Sequence, residues 1–237
     1  MTRKYLAFDI ETATDVPGTD FNWKPHRPLG ITCVAAFASD EAAPRTWSAL
    51  DEGSTSTARM NRAQVNGFVS YLADMAAKGY TLLSWNGLQF DWDILAEESG
   101  AAVLCSELAL QHVDCMFHVF CEKGFPVGLS RAAQALKIPG KTEGVSGEFA
   151  PVLWAAGKHQ VVLEYVAQDT RVLLQVATLS EAKLKFEWIT SKGKPSSMSL
   201  SRGWLPVQEA LKLPEPDTSW MSTPLLRREF ISWLTGK

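Results

Sequence analysis

Asp9 and Glu11 stand two positions apart in "AFDIETATD", directly after an apolar run. Side chains alternate along a strand, so both acids face one way while Phe8 and Ile10 face the other. Their Cα atoms would lie about 7 Å apart, and two carboxylates at that spacing repel unless a cation sits between them. Carboxylate oxygens are the preferred ligands of hard ions such as Mg²⁺ or Mn²⁺. An edge strand with both acids in water explains the pair equally well. Asp15 falls in the following loop, fits no pattern and reads as solvated.

Two further stretches carry comparable groups. In "SWNGLQFDW" a buried strand runs into Asn86, and Asp91 opens a helix. A strand end meeting a helix start is a common ligand site in α/β sheets. Asp91 as a plain helix N-cap is the alternative. Asp93 is a nearby competitor that lacks the companion Asn-x-x-x-Phe pattern. In "EYVAQD", Tyr165 and Asp169 are four apart on a helix and share a face. A surface Tyr–Asp pair is the alternative there.

The elements that must position these groups are legible from patterning. "YLAFDIE", "ITCVAAFAS", "RTWSAL" and "YTLLSW" read as strands, and residues 12 to 30 as a Pro/Gly/Asp/Thr-rich loop. Apolar spacing at Met60, Val65, Phe68, Leu72 and Met75 predicts a helix stopped near Gly79. Helices are also predicted for "DWDILAEESG", "LSRAAQALKI" and the long "HQVVLEYVAQDTRVLLQVATLSEAKL". After about residue 182 the character changes: "KFEWITSKGKPSSMSLS" reads as a hairpin, and "PLLRREFISWL" as a short helix in a Pro-rich tail. Strands followed by alternating helix and strand give an α/β layer with a mixed sheet.

Composition sets bounds. The 237 residues are 46% hydrophobic and 21% charged, as in globular proteins with a real core, and the net charge is −3. A nucleic-acid site would therefore be a local patch. Four cysteines without a C-x-x-C pair read as buried free thiols of a reducing compartment. The apolar run of MTRKYLAFDIET is too short for a signal peptide, and no stretch approaches a membrane span. An intracellular, cytoplasmic protein without membrane contact is expected.

"FDIET", then N-x-x-x-F-D, then Y-x-x-x-D, in this order and spacing, resembles the DEDD superfamily of 3′→5′ exonucleases, in its tyrosine subtype. The nearest likeness is to the proofreading exonuclease domain of family B DNA polymerases, over roughly residues 5 to 180. The resemblance implies a ribonuclease H-like fold, a mixed β-sheet flanked by helices, over residues 1–182, while the change of character after about residue 182 makes residues 183–237 a small C-terminal appendage. It also implies two divalent metal ions, Mg²⁺ or Mn²⁺, held by Asp9, Glu11, Asp91 and Asp169. Tyr165 would position the attacking water, and Asn86 and Phe90 would contact the substrate strand. The histidine subtype places His one residue before Tyr165, where this chain has Glu164; the nearest preceding histidine is His159. The implied activity is hydrolysis at single-stranded or frayed 3′ ends of DNA or RNA. The alternatives are an inert nucleic-acid-binding or docking module, and a ribonuclease H-like endonuclease.

Other stretches read less sharply. Trp85, Phe90 and Trp92 could stack on bases or fill the core. "FNWKPHRP" (21–28) could line a single-strand groove or be a solvated loop. Lys183, Lys185, Lys192, Lys194 and Arg202 outnumber Glu181 and Glu187 around the hairpin, giving a candidate phosphate patch or a solvated face. "HVDCMFH" (His112, Asp114, Cys115, His118) lacks paired zinc-ligand spacing, and Asp114 reads better as a helix cap. Lys141 sits in a Gly-rich turn that is not a P-loop.

Overall fold

The computed structural model describes residues 3–17, 22–139 and 147–234. Phe21 and Lys141 lie outside the described residues.

The centre is β1 (Tyr5–Thr12), with every residue but Asp9 buried. It pairs antiparallel with β2 (Ile31–Ala38), which pairs antiparallel with the edge strand β3 (Arg45–Ser48). Helix α1 (Arg62–Ala77) follows. Its predicted start falls too early because Asn61 forms a capping box with Gln64; Met60 lies before it, its N–H bonded to the Ile31 carbonyl. Strand β4 (Thr81–Ser84) then pairs parallel to the other side of β1. Helix α2 (Asp91–Ser99) ends at Gly100, whose φ of 72° supplies the left-handed C-cap.

Residues 102–123 were not assigned by patterning. They form α3 (Ala102–Gln111), the two-residue β5 (Val113–Asp114) and α4 (Cys115–Lys123). Every residue from Cys115 to Cys121 is buried, so the segment has no polar face to mark its period. Helices α5 (Leu129–Leu136), α6 (Ala150–Ala155) and the 24-residue α7 (His159–Ala182) come next. Together β3-β2-β1-β4-β5 make one mixed five-stranded sheet.

The sheet separates two cores. Leu6, Phe8 and Ile10 point from β1 toward α1 and α2, where Phe8 meets Trp92 edge-on at 5.0 Å between ring centroids. Tyr5 and Ala7 point toward α7, against Leu173, Val176 and Ala177. Asp9 and Glu11 share that second face by alternation.

After α7 the predicted hairpin is β6 (Lys185–Ile189) with β7 (Pro195–Ser199). Short helices α8 (Val207–Ala210) and α9 (Arg227–Ile231) follow. Phe186, Trp188 and Trp204 bury in the α7-side core, and Val207, Ala210, Phe230 and Leu234 in the other. Arg227 donates to the carbonyls of Cys121, Leu213 and Pro214 at 2.9, 2.6 and 2.7 Å. All four cysteines are buried free thiols. Among the described residues no helix is long and apolar enough to cross a membrane.

Candidate active site

The predicted residues come from three elements that meet where parallel β1 and β4 part. The β1–β4 ladder ends at Ala7↔Leu83, so the chains beyond it diverge and open a crevice at their carboxyl ends. Asp9 and Glu11 project from β1 toward α7. Glu11 is 5% exposed and lies beside a register shift that ends the regular β1–β2 pairing.

The β4–α2 loop delivers Asp91. Asn86 adopts φ 69°, a left-handed turn that asparagine tolerates. Gly87 is required by a close approach: a Cβ there would stand 2.3 Å from Ser84 Oγ. Asp114 holds the loop from below. Its carboxylate accepts the N–H groups of Asn86 and Leu88 at 3.0 and 2.9 Å and also caps α4 through Phe117 N–H at 3.0 Å. The sequence identified only that capping role; the loop contacts span 26 and 28 residues, and no local pattern marks them. Burial pushes the Asp114 carboxyl up to about 6, opposed by these donors.

Asp91 is 3% exposed at the first position of α2. Burial, with the charge of Asp114 behind it, pushes its carboxyl up to about 7; N–H groups of Asp91 and Ile10 and the carboxyl of Asp9 oppose the shift by hydrogen bonding. Two carboxyl groups hydrogen-bond only with a proton between them, so Asp9 and Asp91 share one in the absence of a cation. Asp91 Oδ1 and Asn86 Oδ1 are buried with no hydrogen-bond partner.

Helix α7 supplies the opposite wall. Tyr165 is 2% exposed, and its hydroxyl hydrogen-bonds the Asp169 carboxylate one turn on. Burial and then the charges of Asp169, Glu11 and Asp9 raise its pKa far above the ordinary phenol value. The shift favours the neutral phenol, a hydrogen-bond donor. Gly147 approaches closely here: a Cβ on it would lie 3.7 Å from Tyr165 Oη and 3.9 Å from Glu11 Oε2. Glu164, at the histidine-subtype position, is exposed and bonded to Gln160. His159 packs on the Trp154 ring instead.

A cavity of about 280 Å³ is lined by Asp9 on one side and Asp169 and Leu173 on the other. Trp85 and residues 128–130 complete its wall, with Trp85 Nε1 donating to the Val127 carbonyl at 3.0 Å. Gly128, Leu129 and Ser130 were missed by the sequence reading; the turn chemistry of "FPVGLS" before α5 was their only signal. Phe90 is half-buried against Trp23, edge-to-face at 5.4 Å, and Trp92 is wholly in the core.

The competing readings resolve as structure. Arg27 grips Asp93 through two hydrogen bonds of 3.0 and 2.9 Å and Glu97 through a third of 3.0 Å, which takes Asp93 out of contention as a ligand. The same guanidinium lies over the buried Trp23 ring, so these two members of "FNWKPHRP" serve packing. His112 donates from Nδ1 to the Ala109 carbonyl and accepts from Ser84 Oγ, and His118 Nδ1 accepts from Leu205 N–H. Both histidines are thereby committed, and "HVDCMFH" forms no zinc cluster. Lys183 and Lys185 pair with Glu187, which halves the predicted lysine patch.

As an ion site the donor set is suitable in kind: the oxygens of four carboxylates suit a hard divalent cation. Asp91 Oδ1 has the unsatisfied demand that such an ion would meet. Among the described residues, no three His, Cys, Asp or Glu side chains already meet in an ion-holding arrangement, so side-chain adjustment would accompany binding.

Residues 6–180 match the model of the RNase_H_2 family, described as RNase_H superfamily. No curated protein sequence matches. Among solved structures, the family B DNA polymerase from the hyperthermophilic archaeon Pyrobaculum calidifontis is similar at a TM-score of 0.58 and 20% identity, over 89% of this chain and 27% of that one. That similarity concerns fold. The zinc-bound E. coli ExoI–ssDNA complex and E. coli exonuclease I with a dT13 oligonucleotide align at TM-scores of 0.37 and 0.36, both at 14% identity. These alignments cover 77% and 76% of this chain and 41% of each of those. The chain thus spans about a quarter of the polymerase's length and two fifths of the exonuclease's. With the mixed sheet flanked by helices and a family model spanning residues 6–180, the chain belongs to the RNase_H superfamily.

Proposed function

We propose that this chain is a metal-dependent 3′→5′ exonuclease of the DEDD type, tyrosine subtype, acting on single-stranded or frayed nucleic-acid ends. One observation carries the reading. Asp9 and Asp91 share a hydrogen bond at one wall, Tyr165 and Asp169 share another at the facing wall, and the cavity of about 280 Å³ is lined by Asp9 and Asp169. Among the described residues, carboxylates crowd there and no arginine or lysine lines the cavity, the reverse of what a structural ion network would show.

Asp9, Glu11, Asp91 and Asp169 would hold two Mg²⁺ or Mn²⁺ ions. When bound, the ions neutralise the phosphodiester, make water acidic enough to attack, and stabilise the leaving oxygen. The chain's own groups do the rest. Tyr165, kept neutral, donates a hydrogen bond and orients a nucleophilic water beside Asp169. The Asp114-held loop fixes Asp91 against β1, and residues 128–130 with Trp85 confine the terminal nucleotide. Asn86, with its Oδ1 buried, and the half-buried Phe90 lie on the same loop, where side-chain adjustment would bring them to a terminal sugar or base.

The test is digestion of matched DNA and RNA oligonucleotides in Mn²⁺ and in EDTA. Mononucleotide release from free 3′ ends, lost in EDTA and in Asp169→Asn, is expected. Cutting of a circular or 3′-blocked strand would instead favour an endonuclease. Absence of any Mn²⁺-dependent cleavage would leave a binding module.

A further inference from the structure

Beside the catalytic cavity lies a second, wider cleft of about 590 Å³. Val127 lines the wide cleft and Gly128 lines the catalytic cavity. These are consecutive residues, about 3.8 Å apart at Cα, so the two spaces adjoin across one strip of backbone. The far wall of the cleft is the β6–β7 hairpin and the segment carrying Trp220, none of which belongs to the matched residues 6–180.

Its chemistry is specific. Trp220 is 67% exposed yet held in place: its Nε1 donates to the Asp217 carbonyl at 3.2 Å, and Asp217 Oδ1 accepts Ser219 N–H at 3.0 Å. Phe125 meets Trp220 and Trp188 edge-on, at centroid distances of 6.2 and 6.3 Å. Trp188 is buried beneath, so the aromatic floor is anchored in the α7-side core. Arg131, Lys192 and Lys194 supply positive charge, and among the described residues no acidic side chain lines the cleft. Arg131 donates to the Thr190 carbonyl at 2.9 Å, which ties α5 to the hairpin turn. Lys183 and Lys185, by contrast, are paired with Glu187. Exposed aromatic faces interleaved with cations form the combination that binds single strands, stacking on bases while tracking phosphates.

We infer that this cleft seats the single strand upstream of the scissile nucleotide, with bases against Trp220 and Phe125 and phosphates at Lys192 and Lys194. This rests on the nuclease reading above and deepens it: the substrate is a strand several nucleotides long, not a dinucleotide. In a chain of net charge −3, the cleft is the local basic patch that single-strand binding requires.

The test compares the wild-type chain with Trp220→Ala and with Lys192→Glu/Lys194→Glu, three surface positions outside the catalytic cavity. Binding of a labelled oligothymidylate of about twelve nucleotides is measured by anisotropy in EDTA across a salt series. Hydrolysis of that oligomer and of a thymidine dinucleotide is measured in Mn²⁺. The expected result is an affinity loss of about tenfold in Trp220→Ala, as for one lost stacking partner. The double charge reversal should lose more and show a shallower salt dependence. Dinucleotide hydrolysis should be unchanged in both variants. Unaltered oligomer affinity and salt slope in all variants would overturn the inference, as would a proline-rich peptide occupying the cleft and excluding the oligomer. If the wild type cleaves neither substrate, the nuclease reading fails on its own, while binding in EDTA still decides the cleft.

Discussion

Asp91 and Asp93 are equally buried, at 3% exposure each, and both belong to the first turn of α2, yet the two faces of that turn solve the same problem in opposite ways. Asp93 receives the full fork of Arg27, which also holds Glu97. Its charge is matched and its oxygens are bonded. Asp91 is turned toward Asp9 and Asp114, with one oxygen bonded to nothing and its proton affinity raised. Burying a charge without a partner is costly, so the second arrangement survives only where something other than stability selects it. The difference separates a structural acid, which has its cation in the fold, from one left short of a cation, as the ligand role proposed for Asp91 requires.

The sharpest way to break that contrast is to neutralise one side at a time. Asp91→Asn or Asp169→Asn should lower Mn²⁺-dependent hydrolysis of a 3′-labelled oligonucleotide by roughly a thousandfold or more, corresponding to several kcal/mol of lost metal stabilisation. The metal-free protein should remain as stable as the wild type, or more so. Retained activity in either variant would refute the ligand assignment.

Next in size is the effect on stability against pH, measured in EDTA. The Asp91 carboxyl titrates at about 7 in the fold and near 3.8 in the unfolded chain. Between those values the folded state holds a proton that the unfolded state has lost, so stability falls as pH rises, by at most about 1.4 kcal/mol per unit. Because Asp91 is coupled to Asp9 by their hydrogen bond, the slope belongs to the pair, and Asp91→Asn should weaken it. The variant's advantage in Tm should therefore grow from pH 4 to pH 7 and level off above. The buried His112 and His118, both pushed down to about 4 by desolvation, slope the other way below pH 6.5. They are common to both proteins and cancel in the difference. A constant or shrinking gap would mean that Asp91 is not strained in the metal-free fold.

On the other face, Arg27→Ala should destabilise by about 2 kcal/mol, less than for a fully buried pair because the Arg27 side chain is 29% exposed. Turnover of a short substrate should change little. Arg27→Met combined with Asp93→Leu should recover most of the loss. Urea unfolding of the three proteins checks both statements. A large fall in turnover with little change in stability would make Arg27 part of the site, contrary to the division drawn above.

Much of this was legible in the sequence where a local pattern encoded it. The alternation in "YLAFDIE" placed Asp9 and Glu11 on one face of β1, and the four-residue spacing in "EYVAQD" placed Tyr165 beside Asp169 on α7. Residues 115–121 were opaque because burial on all sides erases periodicity. What separates Asp93 from Asp91 was opaque as well: the partner Arg27 lies 66 residues upstream, and only the companion motif hinted at the distinction. The same holds for Asp114 beneath the Asn86 loop and for the tail, whose Trp204, Val207 and Phe230 carry no sign of which core they enter. Spacing reports what one element does, whereas contacts between distant elements are set by the whole fold.

Tyr165→Phe probes the smallest of these effects and the border between the two kinds of acid. The Tyr165 hydroxyl is a neutral donor bonded to Asp169, so its removal takes a hydrogen bond and no charge. If the hydroxyl serves to orient water, turnover should drop about tenfold, as for a single positioning contact. The Mn²⁺ concentration for half-maximal activity and the substrate KM should stay the same. The pH–rate profile should keep its shape, because burial and the neighbouring carboxylates hold the phenol protonated throughout the working range. A shifted Mn²⁺ midpoint would place the hydroxyl among the groups that hold the ions. The loss of an alkaline limb would make it a base. Either outcome would move Tyr165 across the line that Asp91 and Asp93 define, since a neutral residue would then be carrying part of the charge balance assigned here to carboxylates alone.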